Sequence, residues 1–463
     1  MGLGRGVPLV SMISGQNLLE MILGGGKVYC RTSSRYVHFC RPYFDNRPTL
    51  SQTETYISGT EPFNPSLHGT SGPISAVGVK TSHPDRQYPL RSKISALFES
   101  GGYALNPDGN SGSVKGFCEP TENWKKGVRQ PASVAYEVAQ CTNVTILTST
   151  IVYRVLFDTS NTRTIGIQTS KGSFYASKET ILCAGAYRSP HLLLLSGIGP
   201  ASTLATHGIP LVLDLPGVGK NLHDHPAVPL YWKLKEQGNA IDVKPDAKLS
   251  APQFRVGLPF DWMAFAHDPA VPITAKSEGA DEVTVRHLSH PDRCHTEIFF
   301  AYVPAGPGAK KFKPDGKTIT SWVMALTPTS RGSVTIASSD PTAHPVIDPN
   351  YYATEADRAA LRNGVRKVLA LTSNLIGGSL FETELTDHAG DTDAAIDARV
   401  KEYGNGLFHP GGTCAMGKVV DGSCRVVGMD GLRVVDASII PLPLGAHYQA
   451  TVYTLAEKVA DGI

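Results

Sequence analysis

The segment from Thr180 to Pro200, TILCAGAYRSPHLLLLSGIGP, narrows the possible folds more than any other part of the chain. Thr180 to Ala186 is a continuous apolar run ending in small residues, the pattern of a strand buried on both faces. Ser189-Pro190 then offers an N-cap followed by proline at the first helical position. Gly197 is placed to end the helix HLLLLSG. Strand, small-residue turn and helix in this order form the unit that brings backbone close to a cofactor, so the sequence predicts an α/β protein.

At 463 residues the chain suffices for one large two-part domain or two to three smaller ones. Hydrophobic residues make up 41% and charged residues 18%, which allows a substantial core and argues against global disorder. A net charge of +2, a pI near 8.0 and the lack of any lysine or arginine block argue against nucleic acid or a polybasic membrane contact. None of the eight cysteines forms a CxxC pair, so neither a zinc ribbon nor a thioredoxin-type motif is indicated. No stretch approaches the roughly 18–20 apolar residues of a membrane span. The start, Met1 to Gly26, holds one arginine and a broken apolar segment, which makes a poor secretory signal. That favours the cytoplasm slightly over secretion and leaves the compartment open.

The first ninety residues read as loops, with a Gly24-Gly25-Gly26 run and a Ser/Thr/Pro-rich stretch from Arg47 to Gly72. Asn143 to Asp158 (NVTILTSTIVYRVLFD) alternates as a strand pair should, and Ile165 to Gln168 and Phe174 to Ala176 continue it. From Pro226 to about Asn405, strand-like pieces (Thr296 to Val303, Ile319 to Leu326, Gly332 to Ala337) mix with a charged amphipathic helix, Glu355 to Leu371. The style of the first part returns at Leu432 to Val435. In the closing helix Val452, Leu455, Ala456, Val459, Ala460 and Ile463 recur at helical spacing, which predicts one buried stripe. Three segments result: 1–225, 226–405 and 406–463.

The residues suited to chemistry concentrate near the C-terminus. His409 precedes Pro410-Gly411-Gly412-Thr413, backbone that can approach a ligand closely. His447 falls just ahead of the closing helix, whose dipole disfavours an imidazolium; this predicts a lowered pKa and a ring available as a base. The same end stabilises an anion such as an alkoxide. A lone histidine more often caps or lines an interface. Two together over a flat cofactor can take a proton from an alcohol while a hydride leaves it. His223-Asp224-His225 places two rings on one face of an extended strand, yet no third ligand with recognisable spacing accompanies them. The sequence therefore assigns no metal, and Asp224 and His225 read as a hydrogen-bonded corner. Phe260, Trp262, Phe265, Phe299 and Phe300 suit core packing better than an aromatic pocket.

These motifs resemble the glucose–methanol–choline (GMC) oxidoreductase family, with fungal members foremost. His409 to Thr413 matches its His-Pro-x-Gly-Thr stretch, Leu432 to Ser438 its Leu-Arg-Val-x-Asp-Ala-Ser, and His447 its His or Asn before a closing helix. Gly185 to Gly199 and Pro216 to His225 (PGVGKNLHDH) match two further signatures in the right order. The resemblance runs from about Leu23 to the end and is weakest in the substrate region. It implies an FAD-binding, Rossmann-like domain and a substrate domain with a mainly antiparallel sheet and helices. It implies FAD-dependent oxidation of the CH–OH group of an organic alcohol, with His409 and His447 removing the hydroxyl proton as a hydride passes to flavin N5. Asp436 and Ala437 would lie by the ribityl and pyrophosphate portion, and the backbone of Tyr448 and Gln449 near the pyrimidine edge. Val152 would meet adenine through its backbone, and Gly24, Gly25 and Gly26 stand where the family has a Leu-Gly-Gly-Ser cofactor motif.

The pattern breaks at the start. Family members open with a βαβ unit carrying GxGxxG, whereas Gly2, Gly4 and Gly6 follow no strand, and the chain begins roughly seventy residues late. Cys30 replaces an asparagine, and Lys27-Val28-Tyr29 replaces small residues. Either the start is truncated and the protein binds FAD, or the chain lacks the adenosine half of the site. A second reading is therefore a non-redox lyase or dehydrating cyclase on the same scaffold, in secondary metabolism, with the two histidines doing acid–base work. A third, an inactive remnant, conflicts with the retained histidine pair. The expected partner is a small-molecule alcohol, and a homodimer stays open.

Overall fold

The computed structural model describes residues 52–57, 59, 61–83, 85–255 and 257–463. Gly24, Gly25 and Gly26 lie outside them. The apolar run at Thr180 forms a short strand, Thr180–Leu182, paired in parallel with Leu432–Val434. The helix after it spans Gly185–Leu195, so it starts before Pro190 rather than at it. Two features allow this. Gly185 takes φ 78°, the left-handed turn that glycine adopts most readily. Asp436 then supplies the cap expected of Ser189: its Oδ2 accepts from the Gly185 N–H (2.9 Å) and from the Ser189 hydroxyl (2.5 Å). Pro190 inside the helix cannot donate to the Ala186 carbonyl, and the Thr413 hydroxyl donates to it instead at 2.6 Å. Leu192, Leu193, Leu194 and Leu195 are buried against Leu182, Leu432 and Val434.

Three expectations for this half are corrected. Residues 143–151 form turn and coil, and the strand begins at Val152; Ser149 turns left-handed at φ 51°, and Ile146 and Ile151 are exposed. Val152–Phe157, Thr164–Thr169 and Gly172–Tyr175 make the antiparallel sheet. The first ninety residues are not all loop: Glu54–Ile57 pairs in parallel with Ile74–Gly78, whose five residues are all buried. The stripe of the closing helix, Gln449–Ala460, is only half-buried at Val452, Leu455 and Val459, and Ala460 and Ile463 are exposed. That helix turns Thr454 and Glu457 inward instead, where Glu457 accepts a 2.6 Å hydrogen bond from the Tyr136 hydroxyl.

The other half is one antiparallel sheet in the order Phe381–Glu384, Pro226–Leu234, Thr318–Ala325, Thr296–Ala301, Met263–Ala266, Gly116–Cys118. The predicted amphipathic helix covers it as Glu355–Ser373, with Thr354 capping the Asp357 N–H. Its buried positions Leu361, Gly364, Val365 and Val368 follow helical spacing. At Gly364 a side chain would collide with Val323, so the missing Cβ lets helix and sheet approach. Trp262 and Phe300 belong to this core, and Phe260, Phe265 and Phe299 to a neighbouring cluster with Trp322, in keeping with a packing role.

Replacing Thr413 by Val keeps its shape and strips the Ala186 carbonyl of its donor. The expected loss is about 1–3 kcal/mol in a urea unfolding measurement. An unchanged midpoint would show that the hydroxyl is not needed there.

Candidate active site

Residues 405–411 run antiparallel along residues 223–227. The His223 N–H donates to the Gly411 carbonyl (3.1 Å) and the Gly411 N–H to the His223 carbonyl (2.8 Å). The Leu407 N–H reaches the His225 carbonyl at 3.0 Å, and Gly406 and Asn405 pair with Pro226 and Ala227. A Cβ at Gly411 would stand 2.8 Å from the His223 ring, so only glycine permits this approach. The Asp224 carboxylate, 4% exposed, bolts the junction. Its Oδ1 accepts from the backbone N–H of His225 (2.7 Å) and of His409 (2.8 Å), and its Oδ2 from the Tyr351 hydroxyl (2.7 Å). Phe408 makes the turn into His409 at φ 63°, a left-handed conformation uncommon outside glycine.

Four rings meet here. His409 and His447 lie 4.5 Å apart between centroids, His225 stands edge-on to His409 at 4.9 Å, and Tyr448 stacks near His409 at 5.8 Å. His225 Nε2 contacts the Leu444 carbonyl at 3.0 Å, and its Nδ1 lies 3.0 Å from His409 Nδ1. His447 Nε2 sits 3.1 and 3.2 Å from the two oxygens of Glu297, a fully buried carboxylate on the Thr296–Ala301 strand. His223 contacts the Ile440 carbonyl through Nε2 (3.0 Å) and the Tyr448 hydroxyl through Nδ1 (3.1 Å).

These surroundings divide the histidines into two electrostatic classes. Burial, followed by the charges of His447 and His225, holds the His409 imidazolium off to well below the ordinary range. Burial likewise brings His223 and His225 down to about 3. His447 goes the other way. Burial lowers it, but its side chain is 41% exposed, so desolvation is partial and the Glu297 carboxylate carries the net shift upward. The expected lowering by the helix dipole is thus overturned: a full charge at 3.1 Å outweighs the roughly half charge of a helix end.

Profiles of the GMC oxidoreductase family match residues 40–227 and 328–456. The GMC-type oxidoreductase acuG of Aspergillus aculeatus is 42% identical over 397 residues, 83% of this chain and 74% of the relative. The chain belongs to the GMC oxidoreductase family. Human mitochondrial choline dehydrogenase is 32% identical over 440 residues, 92% of this chain and 69% of that one. Among solved structures, a formate oxidase variant from Aspergillus oryzae superposes with a TM-score of 0.79 at 26% identity, covering 90% of this chain and 77% of its own. Pyridoxine 4-oxidase from Mesorbium loti gives 0.73 at 25% identity, covering 90% and 76%.

Of the residues expected at the site of this GMC oxidoreductase, the fold brings His409, His447 and Tyr448 together. Gln449 follows as the exposed first residue of the closing helix, whose N-cap Tyr448 makes no side-chain cap and whose opening N–H groups meet no side-chain acceptor among the described residues. Ala437 is buried beside Tyr448. Asp436 points into the protein, its oxygens occupied by Gly185, Ser189 and the Ser438 N–H. Val152 opens its strand and packs against the core around Leu182, Leu193 and Val434. Both rings of the His223-Asp224-His225 trio are committed to hydrogen bonds, and among the described residues no cluster could hold a metal. Sequence reasoning missed Glu297, whose one signal was a carboxylate inside the apolar run TEIFFAY. It also missed that His225 touches His409. No helix among the described residues is long and apolar enough to cross a membrane.

The titration of this site sets an acid limit on stability. His223 and His225 stay neutral in the fold down to about pH 3, whereas the unfolded chain protonates them below about 6.5. Stability is therefore full above 6.5 and is lost as pH falls, by about 1.4 kcal/mol per pH unit for each ring. His447, raised, contributes the opposite term, full below 6.5 and lost as pH rises through its folded pKa. Two or more lowered rings against one raised ring predict a melting temperature that falls from pH 7 to pH 5. A flat profile would contradict the assignment.

Proposed function

We propose that this protein oxidises the CH–OH group of an organic alcohol to a carbonyl, with FAD as cofactor, His409 as the base and His447 as the positive group that steadies the developing alkoxide. One observation carries the reading: two imidazoles 4.5 Å apart whose surroundings push their pKa values in opposite directions. Such a division is how a site holds an acid and a base side by side. A proton on the pair favours His447, which Glu297 raises, over His409, which burial and the charge of His447 lower.

FAD suits what the chain offers at this end. The Gln449–Ala460 helix presents uncapped N–H groups next to His447, donors that match the carbonyl-rich pyrimidine edge of a flavin. Tyr448 and Gln449 would hold that edge, Ala437 would approach the ribityl chain, and Val152 would meet adenine through its backbone. Asp436 would act indirectly, because its carboxylate already fastens the Ala437 turn to the Gly185–Leu195 helix. Bound FAD supplies the acceptor for the hydride. His409 takes the hydroxyl proton on Nε2, which has no hydrogen-bond partner among the described residues. His447 donates its Nε2–H to Glu297, leaving the Nδ1–H of its protonated form for the substrate oxygen. Relatives named choline dehydrogenase and patulin synthase support small alcohols as substrates.

Purified yellow protein should bleach when candidate alcohols are added without oxygen. His409→Ala and His447→Ala should each slow that bleaching about a hundredfold or more. Bleaching at the native rate would sink the base assignment, and substrate conversion without bleaching would favour a non-redox reaction. Glu297→Gln removes the charge that raises His447, so the alkaline fall in the bleaching rate should move to lower pH. An unmoved limb would show that His447 does not work as a cation.

A further inference from the structure

We infer that His225 is a positioning residue that fixes the tautomer of His409, by an imidazole-to-imidazole hydrogen bond anchored on the Leu444 carbonyl. The inference rests on the reading of His409 as the base and extends it to a residue that touches neither substrate nor cofactor. One line of donors and acceptors links Leu444, His225 and His409. A carbonyl oxygen only accepts, and of the two backbone carbonyls at the His225 ring, Leu444 and Leu326, Leu444 is the one in hydrogen-bond geometry, 3.0 Å from Nε2, which places the ring proton there. His225 is fully buried and neutral at working pH, so its one ring proton is then spent and Nδ1 is a bare acceptor. The 3.0 Å contact between the two Nδ1 atoms therefore needs its proton from His409. His409 is left with Nδ1–H and with its lone pair on Nε2, the only nitrogen that can receive the hydroxyl proton.

The placement is rigid on both sides. Asp224 accepts from the N–H of His225 and of His409, which holds the two backbones in one frame, and the rings stand at 75° with centroids 4.9 Å apart. The line also survives protonation. Once Nε2 has taken a proton, His409 Nδ1–H still donates to the same acceptor, so nothing reorganises during the transfer. An aspartate in that place would hold the tautomer too, but would add a negative charge beside His409 and raise its pKa; a neutral ring orients without doing so. The other ionisable groups around His409 are His447, with Glu297 behind it, and Tyr448, and none of them contacts His409 Nδ1.

Two polar substitutions separate orientation from mere support. His225→Asn keeps an acceptor where Nδ1 stood and loses the bond to Leu444; His225→Gln keeps a donor where Nε2 stood and loses the acceptor for His409. In anaerobic flavin reduction by an alcohol, the Asn variant should stay within about tenfold of the native rate, and the Gln variant should fall roughly a hundredfold or more. Nitrogen-15 histidine spectra of the native flavoprotein, assigned by the signal lost in His409→Ala, should show a protonated Nδ1 and an unprotonated Nε2. A Gln variant as fast as Asn, or a His409 with its proton on Nε2, would overturn the inference. Native turnover in His409→Ala would instead overturn the base reading beneath it.

Discussion

The buried carboxylate of Asp224 is the constraint on which the site depends. Three hydrogen bonds converge on it from residues far apart in the chain: His225 beside it, Tyr351 in the middle and His409 in the tail. Bonds to a buried charge contribute about 1.5–3 kcal/mol each, and removing their acceptor would leave donors unmet. The tail could not otherwise be held so close. Its approach needs a left-handed Phe408, a glycine at 411 against the His223 ring, and the ladder from Asn405 to Gly411. Each feature is unfavourable or neutral alone, and together they set one histidine against another.

Around that frame the two halves of the fold supply opposite electrostatics. The antiparallel sheet contributes Glu297, whose carboxylate sits at the foot of His447. The segment just ahead of the Pro226–Leu234 strand contributes the neutral pair His223 and His225, whose rings contact the Ile440 and Leu444 carbonyls of the segment that ends at His447. His409 and His447 therefore meet at the junction of the halves, one with its pKa lowered and the other with its pKa raised. That junction holds both environments: it buries His409 and sets Glu297 against His447.

Much of this was legible beforehand. His409 and His447 stood out by the glycine and small residues beside them, and Tyr448 through the family resemblance; the helix after Thr180–Leu182 showed itself by its proline and terminating glycine, and the Glu355–Ser373 helix by its apolar spacing. The rest was hidden for identifiable reasons. Helix start and proline position traded places because Asp436, 251 residues from Gly185, supplied the cap that local sequence assigned to Ser189. Residues 143–151 have strand composition but pair with no strand among the described residues, and composition alone cannot provide one. The stripe on the closing helix is half-buried because Tyr136 pairs with Glu457 on another face. Glu297 was invisible because one carboxylate in a strand looks the same whether it faces water or a histidine.

The sequence by itself determined the α/β architecture, the order of its motifs, the resemblance to GMC oxidoreductases and the two histidines of the site. These follow from spacing and from the steric habits of glycine and proline, which act over a few residues. Only the tertiary structure decided which histidine is desolvated, which faces a carboxylate and which nitrogens are already engaged. Protonation depends on burial and on charges at about 3 Å, and the partners that set it lie 150 and 184 residues apart in the chain.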